Sequence, residues 1–167
     1  TNTDTRDIDS TVKQIRLLEQ AGCELVRVAV VNQEAAQAIE KIKQQINVPL
    51  IADIHFDYRL ALQSIAAGAD GLRINPGNIG EAWKVREVVK SCRERQVPIR
   101  IGVNAGSLDK RLISRYGGVC AEAMVESALD NIHILEDMDF ELIKVSLKAS
   151  SVTLSVQAYR MMADRIE

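Results

Sequence analysis

One segment, Gly-Ala-Asp-Gly-Leu-Arg-Ile-Asn-Pro-Gly-Asn at residues 68–78, contains the structural unit from which the whole chain is built. In this segment Gly68 ends a helical pattern, the apolar run Gly71–Asn75 predicts a strand, and a polar loop follows. Similar segments occur at residues 22–27, Gly-Cys-Glu-Leu-Val-Arg, and at residues 139–144, Asp-Phe-Glu-Leu-Ile-Lys. The chain therefore repeats a unit in which a helix leads into a strand.

Hydrophobic periodicity extends this unit along the chain, with helices and strands in strict alternation. We predict five strands, at Glu24–Val31, Pro49–Ile54, Gly71–Asn75, Ile99–Asn104 and Glu141–Ser146. We predict six main helices and one short helix, Leu108–Tyr116; the main ones are Ser10–Ala21, Glu34–Gln45, Tyr58–Ala67, Glu81–Arg95, Ala121–Met138 and Ser151–Arg165. Asp7 or Asp9 is placed to cap the first helix, and Trp83 is expected near the inner face of the fourth.

This alternation favours a parallel sheet with crossover helices. No glycine-rich nucleotide loop follows the first strand, so a (β/α) barrel is favoured over a doubly wound sheet. A closed barrel has eight strands in about 250 residues. We therefore expect residues 1–167 to form one domain, a partial (β/α)8 TIM barrel of the α/β class, lacking one strand before residue 1 and two after residue 167.

The composition excludes several classes of partner. With 47% hydrophobic and 26% charged residues and a formal net charge of −2, the chain resembles a soluble globular protein with no overall attraction for nucleic acid or a membrane surface. No apolar run approaches the roughly 20 residues that span a bilayer. The cysteines, Cys23, Cys92 and Cys120, lack the spacing of a zinc or iron–sulfur site, so we expect reduced thiols and no metal in this chain.

Four cations lie within or at the ends of strands that are otherwise apolar, namely Arg27, Arg73, Arg100 and Lys144. A buried cation costs several kcal/mol unless something compensates it. Two explanations are open: internal carboxylates, from Asp53 and Asp57, or a bound anion at the carboxyl ends of the strands. We favour the anion, because guanidinium groups match phosphate oxygens well.

The segments that follow these strands support a polar site. Asn75–Gly80 and Asn104–Ser107 supply amide side chains and backbone N–H groups of the kind that hold phosphate, although both are also ordinary turn sequences. His55 ends another strand and is either an acid/base group or a structural hydrogen-bonding group.

A second cation follows the last predicted strand, two positions after the serine that ends it. Lys144, Ser146 and Lys148 alternate and share one side if the strand continues, with Lys144 and Ser146 the better candidates for the site. A Schiff-base role for Lys144 stays open, since barrel aldolases place a lysine on a late strand.

The chain resembles the 4-hydroxy-3-methylbut-2-enyl diphosphate synthase (IspG) family along essentially its whole length. The resemblance rests on motifs at residues 1–5 (TNTDT), 27–30 (RVAV), 52–59 (ADIHFDYR), 72–80 (LRINPGNIG), 98–108 (PIRIGVNAGSL) and 144–150 (KVSLKAS). It implies that the complete enzyme opens 2-C-methyl-D-erythritol 2,4-cyclodiphosphate reductively, with two electrons and loss of water, in isoprenoid biosynthesis by the MEP pathway.

The resemblance also implies the site and its cofactor. The positions that match the family's substrate-binding residues are Arg27, Asp53, His55, Arg73, Asn75, Arg100, Asn104, Ser107, Lys144 and Ser146. The family's [4Fe-4S] cluster is bound by a C-terminal domain that is absent from residues 1–167, so this chain is expected to bind substrate and to be inactive alone. Implied partners are flavodoxin or a ferredoxin as electron donor and a second subunit of a homodimer. The implied location is the cytoplasm, or the plastid stroma in a plant or alga.

Two other function classes remain for the residue pattern. A barrel aldolase or isomerase acting on a phosphorylated substrate shares the anion-binding residues and needs a base or a Schiff-base lysine. A truncated barrel serving as an interaction module predicts no binding of small diphosphates.

Overall fold

A computed structural model of the protein describes residues 1–166. The contacts divide the chain into two compact units, Thr1–Ile99 and the residues from Arg100 onward. The first unit contains three strands: β1 (Val26–Ala29), β2 (Leu50–Asp53) and β3 (Gly71–Ile74). Its helices are α1 (Ile8–Gln20), α2 (Gln33–Lys43), α3 (Tyr58–Ala66), the single turn α4 (Pro76–Ile79) and α5 (Ala82–Arg95).

The strands of the first unit pair in parallel, as the alternation predicted. Val26 lies opposite Leu50 at the start of β1 and β2, and Ala29 lies opposite Asp53 at their end. Asp53 in turn lies opposite Arg73 on β3. The carboxyl ends of the three strands therefore meet at one edge, with Ala29, Asp53 and Arg73 in one row.

One face of this small sheet is apolar and fully buried. Its residues are Val26, Val28, Leu50, Ala52, Leu72 and Ile74. The helices bury Ile15, Ile39 and Ile65, and these apolar stripes form the core of the first unit with the buried face of the sheet. On the other face Ile51 lies so close to Gly71 that a Cβ at residue 71 would stand 2.7 Å from Ile51 Cδ1.

The first five residues run along the outer edge of β1. The buried Thr5 hydroxyl donates to the Ala29 carbonyl at 2.7 Å, and the Thr1 amino group donates to the Arg27 carbonyl at 2.8 Å. The α1 helix follows at once and is capped by Asp7, whose carboxylate accepts from the Ser10 N–H at 3.1 Å. Of the two capping residues considered, Asp7 is therefore the one used.

The second unit contains β4 (Ile99–Asn104) from Arg100 onward, a short 3₁₀ turn at Ala105–Ser107, α6 (Lys110–Tyr116), α7 (Ala121–Glu136), β5 (Ile143–Lys148) and α8 (Val152–Ala163). The buried side chains of Met124, Leu135 and Met162 contribute to its core. The Tyr159 hydroxyl accepts a hydrogen bond from the Leu147 N–H at 3.0 Å and ties α8 to β5.

The last strand begins two residues later than predicted and continues to Lys148. Asp139 has a left-handed backbone with φ 54°, and the Ile143 N–H donates to the Glu141 carbonyl at 2.7 Å. This tight turn keeps Glu141 out of the strand. Phe140 is buried before it, so the apolar pattern that suggested a strand reflects packing of the preceding turn.

Three other expectations about elements need correction. The first strand covers only Val26–Ala29 of the predicted Glu24–Val31. Within residues 1–166 there are eight α-helices, because Pro76–Ile79 forms a helical turn where a loop was predicted. Proline at the first helical position favours this turn. Trp83 is half-exposed and does not face inward; its ring meets Tyr58 edge-on at 5.3 Å, and its N–H donates to Glu81.

Candidate functional site

The site of the first unit is built at the carboxyl edge of β1, β2 and β3, on the face opposite the buried one. Alternation along the strands places Arg27 and Ala29 on this face of β1, Ile51 and Asp53 on β2, and Arg73 on β3. Of the two rows of side chains on this face, the one closer to the carboxyl edge consists of Ala29, Asp53 and Arg73. Arg27 starts one row deeper, opposite Ile51.

Asp53 is the centre of this group. Its Oδ1 accepts a hydrogen bond from Arg73 Nη1 at 3.2 Å, and its Oδ2 lies 3.4 Å from Arg27 Nε. The Asp53 side chain is only 11% exposed, whereas Arg73 is 19% and Arg27 is 49% exposed. Two arginines from different strands thus share one nearly buried carboxylate.

His55 stands beside the same carboxylate without a close contact. Its Nε2 lies 3.6 Å from Asp53 Oδ1, and the ring is 57% exposed. Phe56 meets it edge-on with ring centroids 6.0 Å apart. This geometry permits a charge interaction with Asp53 when the imidazole is protonated, and it leaves His55 accessible to a ligand.

The carboxylate explanation considered from the sequence therefore holds in part. Asp53 pairs with both arginines of the first unit, but Asp57 does not join them; it caps α3 by accepting from the Arg59 N–H at 2.9 Å. Arg27 is also less buried than the apolar strand pattern implied. Two guanidinium groups and one carboxylate leave this group with a formal charge of +1 when His55 is neutral.

Asn75 begins the helical turn α4 and does not lie in an open loop. Its carbonyl accepts from the Asn78 N–H at 2.8 Å, and the turn ends at Gly80, whose φ is 99°. The expected cradle of backbone N–H groups is therefore partly used within the turn. Asn75 nevertheless directly follows β3 and lies two residues from Arg73, at the same edge as Asp53.

The second unit has a comparable arrangement after β4. The Asn104 side chain accepts from the Gly106 N–H at 3.2 Å, and the Ser107 hydroxyl donates to the Asn104 carbonyl at 3.3 Å. These two residues thus stabilise their own 3₁₀ turn, contrary to the expectation that the Gly106 N–H is available. Arg100 is partly exposed on β4.

The polar residues of β5 share one side of the strand, because β5 continues to Lys148. Lys144 and Lys148 are exposed, while the Ser146 hydroxyl is partly buried and lies 3.4 Å from the Ile101 carbonyl, to which it donates. Lys144 is therefore not a buried cation, contrary to the expectation from its apolar strand, and needs no internal carboxylate to compensate its charge.

Sequence reasoning missed three residues that shape the site. Ala29 lies directly opposite Asp53, and Ile51 covers Gly71 in the row below. The available signal was the two-residue period of the strands counted from Arg27 and Asp53. It was overlooked because Ala29, Ile51 and Gly71 carry no chemically reactive group.

The thiols do not form a cofactor site within residues 1–166. Burial raises the pKa of the Cys92 thiol to about 12, and the Cys23 thiol donates to the Leu25 carbonyl. Cys120 is the N-cap residue of α7. No group of three or more His, Cys, Asp and Glu side chains in this part of the chain is placed to hold a metal, so these residues do not fit an iron–sulfur cluster.

None of the helices between residues 1 and 166 combines the length and the apolar character that a membrane-crossing helix needs.

Comparison with known proteins identifies close relatives of the chain. The 4-hydroxy-3-methylbut-2-en-1-yl diphosphate synthase (flavodoxin) of Geobacter sulfurreducens is 60% identical over 166 residues, which cover 99% of this chain and 47% of that protein. The protein of the same name from Anoxybacillus flavithermus is 61% identical over 163 residues, covering 98% and 45%. The chain thus spans about half the length of these relatives.

Solved structures show the fold independently. The dihydropteroate synthases of Xanthomonas albilineans and Vibrio fischeri match 95% of this chain with TM-scores of 0.64 and 0.62. The matched residues make up 61% and 60% of the two synthase chains. The sequences are only 15% and 14% identical, so the likeness establishes a shared fold alone.

The family model described as "GcpE TIM-barrel domain" matches residues 1–167. This match confirms both the resemblance stated from the motifs and the prediction of a partial (β/α)8 TIM barrel. From the strand-end geometry, the close relatives and the full-length match together, the chain belongs to the GcpE TIM-barrel domain family.

Proposed function

We propose that this chain is the substrate-binding barrel domain of a 4-hydroxy-3-methylbut-2-enyl diphosphate synthase, and that Arg27 and Arg73 bind the diphosphate of its substrate. The observation that supports this most directly is the pair of arginines held by Asp53 at the carboxyl edge of β1 to β3. Ligands of barrel enzymes bind at this edge of the strands.

The charges of this group suit a small dianion. A guanidinium group donates through several N–H groups in one plane, and bidentate contacts to phosphate oxygens are among the strongest hydrogen bonds in proteins. Arg27 uses Nε towards Asp53 and is half-exposed, so the rest of its guanidinium group is accessible to a ligand. His55 and Asn75 are placed to contact the same ligand, because both follow strands of the same edge.

The second unit, described separately from the first, offers further candidates for substrate contacts. Arg100, Asn104, Ser107, Lys144 and Ser146 all lie on or directly after β4 and β5. Lys144 is exposed, whereas a Schiff-base lysine is usually activated by a desolvated pocket. Its position therefore favours an anion contact over the aldolase alternative.

For the complete protein we propose the reaction that the resemblance implies. 2-C-methyl-D-erythritol 2,4-cyclodiphosphate takes up two electrons, a ring C–O bond to phosphate breaks, and a hydroxyl group leaves as water with a proton to give hydroxymethylbutenyl diphosphate. The described residues of this chain bind and orient the diphosphate in this proposal. A [4Fe-4S] cluster would supply the electron transfer, and since residues 1–166 do not fit it, we assign its ligands to the rest of the protein.

The proposal extends to partners and location. The relatives' names include flavodoxin, which supports flavodoxin as the electron donor, with a ferredoxin as the other choice. A homodimer and a cytoplasmic location are proposed with the activity.

Calorimetric titration of the full-length protein tests the proposal. We expect the cyclic diphosphate and inorganic diphosphate both to bind, and 2-C-methyl-D-erythritol, which lacks phosphate, to bind far more weakly. Equal affinity for the phosphate-free sugar alcohol, or no binding of either diphosphate, would contradict it. Borohydride reduction with carbonyl substrates tests the aldolase alternative, which requires covalent labelling of Lys144.

A further inference from the structure

Asp53 is held rigidly at the end of β2. Its carbonyl accepts from the Val30 N–H at 3.0 Å, and the N–H of the next residue, Ile54, donates to the Arg73 carbonyl at 3.0 Å. Ala52 and Ile54 on either side are fully buried. The backbone of Asp53 is therefore fixed by both neighbouring strands, and its short side chain has only two rotatable bonds.

The two arginines are long side chains that need such an anchor. Each loses rotamer freedom when a ligand binds it, and this loss weakens binding unless the side chain is already held in place. Asp53 contacts Arg73 through Nη1 and Arg27 through Nε, the nitrogen nearest the chain. It also keeps two like charges at neighbouring sites, where they would repel each other without a shared counter-ion.

Ala29 is a small residue close to the contact between Arg27 and Asp53. Arg27 lies opposite Ile51, one row below Asp53, and Ala29 lies between it and the carboxyl edge on the same face of β1. A methyl group at residue 29 leaves room for the Arg27 side chain to extend to Asp53 Oδ2. A large side chain there would obstruct this path without changing any charge.

We propose that Asp53 is a positioning residue that holds Arg27 and Arg73 in the orientation that receives the diphosphate, and is not itself a ligand of the substrate. This inference rests on the proposed function of the same site. It deepens that function by assigning to one carboxylate the pre-organisation of two cations from different strands.

Replacement of Asp53 should change the affinity for diphosphate in the direction opposite to the one that charge alone predicts. Replacing Asp53 by Asn removes a negative charge from an anion site, and charge alone would then strengthen diphosphate binding. If Asp53 acts by positioning, Asp53→Asn instead weakens binding, because both guanidinium groups lose their contact with the charged carboxylate. We expect a loss of about tenfold for inorganic diphosphate.

The test uses the full-length protein and four variants. Calorimetry with inorganic diphosphate compares the wild type with Asp53→Asn, Ala29→Leu, Arg73→Ala and Glu40→Gln. Glu40 is exposed on α2, and its replacement matches the change in net charge of Asp53→Asn away from the site. We expect weaker binding in the first three variants and wild-type affinity in Glu40→Gln. Ala29→Leu keeps the test decisive if Asp53→Asn does not fold, since it alters no charge.

A second measurement needs no ligand. In protein labelled with ¹⁵N-arginine, the Nε–H signals of Arg27 and Arg73 should show restricted motion in the wild type and greater mobility in Asp53→Asn, most of all for the more exposed Arg27. A purely structural role of Asp53 would lower the melting temperature without selectively mobilising these two signals, and would overturn the proposal.

The outcomes separate this inference from the proposed function. Binding by the wild type that is lost in Arg73→Ala but unchanged or tighter in Asp53→Asn and Ala29→Leu overturns the positioning role alone. Failure of the wild type to bind diphosphate, or wild-type affinity in Arg73→Ala, overturns the proposed function of the site.

Discussion

Arg73 is a cation on a strand whose neighbouring residues, Leu72 and Ile74, are fully buried. It also has a defined carboxylate partner in Asp53. The sequence alone indicated the cation, because a charged residue interrupts an apolar run. It could not identify Asp53 over Asp57 as the partner, because both carboxylates lie near the end of β2. Parallel register decided between them, since Asp53 pairs directly with Arg73 while Asp57 lies beyond the strand and caps a helix.

The first prediction concerns Arg73 in the full-length protein. Losing a charge-assisted hydrogen-bonding group costs about 1.5–3 kcal/mol, so Arg73→Ala should weaken binding of the cyclic diphosphate roughly 10- to 150-fold in calorimetry. Arg73→Lys should recover only part of this loss, because an ammonium group cannot make two parallel contacts. Unchanged affinity together with a sharply lower melting temperature would instead make Arg73 a structural partner of Asp53.

The second prediction concerns the thiol of Cys92. Burial raises its pKa from 9.0 to about 12, so the folded protein keeps this thiol protonated at pH values where the unfolded chain has lost the proton. Its contribution to stability is therefore fully present below pH 9 and is lost as pH rises from about 9 to about 12. At pH 8 a thiol reagent should modify Cys92 only after urea unfolds the protein, with the partly exposed Cys23 as the internal control. Rapid modification of native Cys92 would contradict the burial.

At the scale of the elements, the sequence predicted which segments are helices and which are strands better than it predicted how the segments between them fold. The predicted strand at Ile99–Asn104 matches β4 fully, because its apolar run is bounded by turn residues on both sides. Apart from strand ends such as those of Glu24–Val31, two errors are informative. They lie at Glu141, where a buried turn imitates a strand, and at Pro76–Ile79, where a turn sequence closes into one helical turn. Short-range hydrogen bonds decide both cases, and hydrophobic periodicity does not detect them.

The third prediction concerns the contact between β2 and β3. A Cβ at residue 71 would lie 2.7 Å from Ile51 Cδ1, so Gly71→Ala forces Ile51 to shift. Ile51→Val removes the colliding methyl group. Gly71→Ala should therefore cost about 1 kcal/mol more stability in the wild-type background than in the Ile51→Val background. Thermal unfolding of the two single variants and the double variant measures this coupling, and strictly additive effects would show that the two residues do not meet.

At the scale of the whole molecule, residues 1–167 match the GcpE TIM-barrel domain and span about half the length of the curated relatives. The sequence predicted this family because several long motifs along the chain all match it. Periodicity alone favoured a barrel but left several functions open.

The fourth prediction concerns the division of labour within the complete protein. If the cluster ligands lie outside this chain, then Cys23→Ser, Cys92→Ala and Cys120→Ser should each leave the absorption of the reconstituted [4Fe-4S] protein at the wild-type amplitude. Anaerobic reconstitution followed by iron and sulfide analysis measures this. Loss of the chromophore in any of the three variants would place a cluster ligand in the barrel domain.

The short sequence separation between contacting residues of the first unit, beginning with Thr5 and Ala29, has a consequence for folding during synthesis. Thr5 and Ala29 are 24 residues apart, and Asp53 and Arg73 are 20 residues apart, so the described contacts of the first unit close loops of similar, moderate length. Loop-closure entropy rises only slowly with length, and each such step is inexpensive. We therefore expect a nascent chain to pair these strands one at a time as each leaves the ribosome, without waiting for distant sequence to be translated.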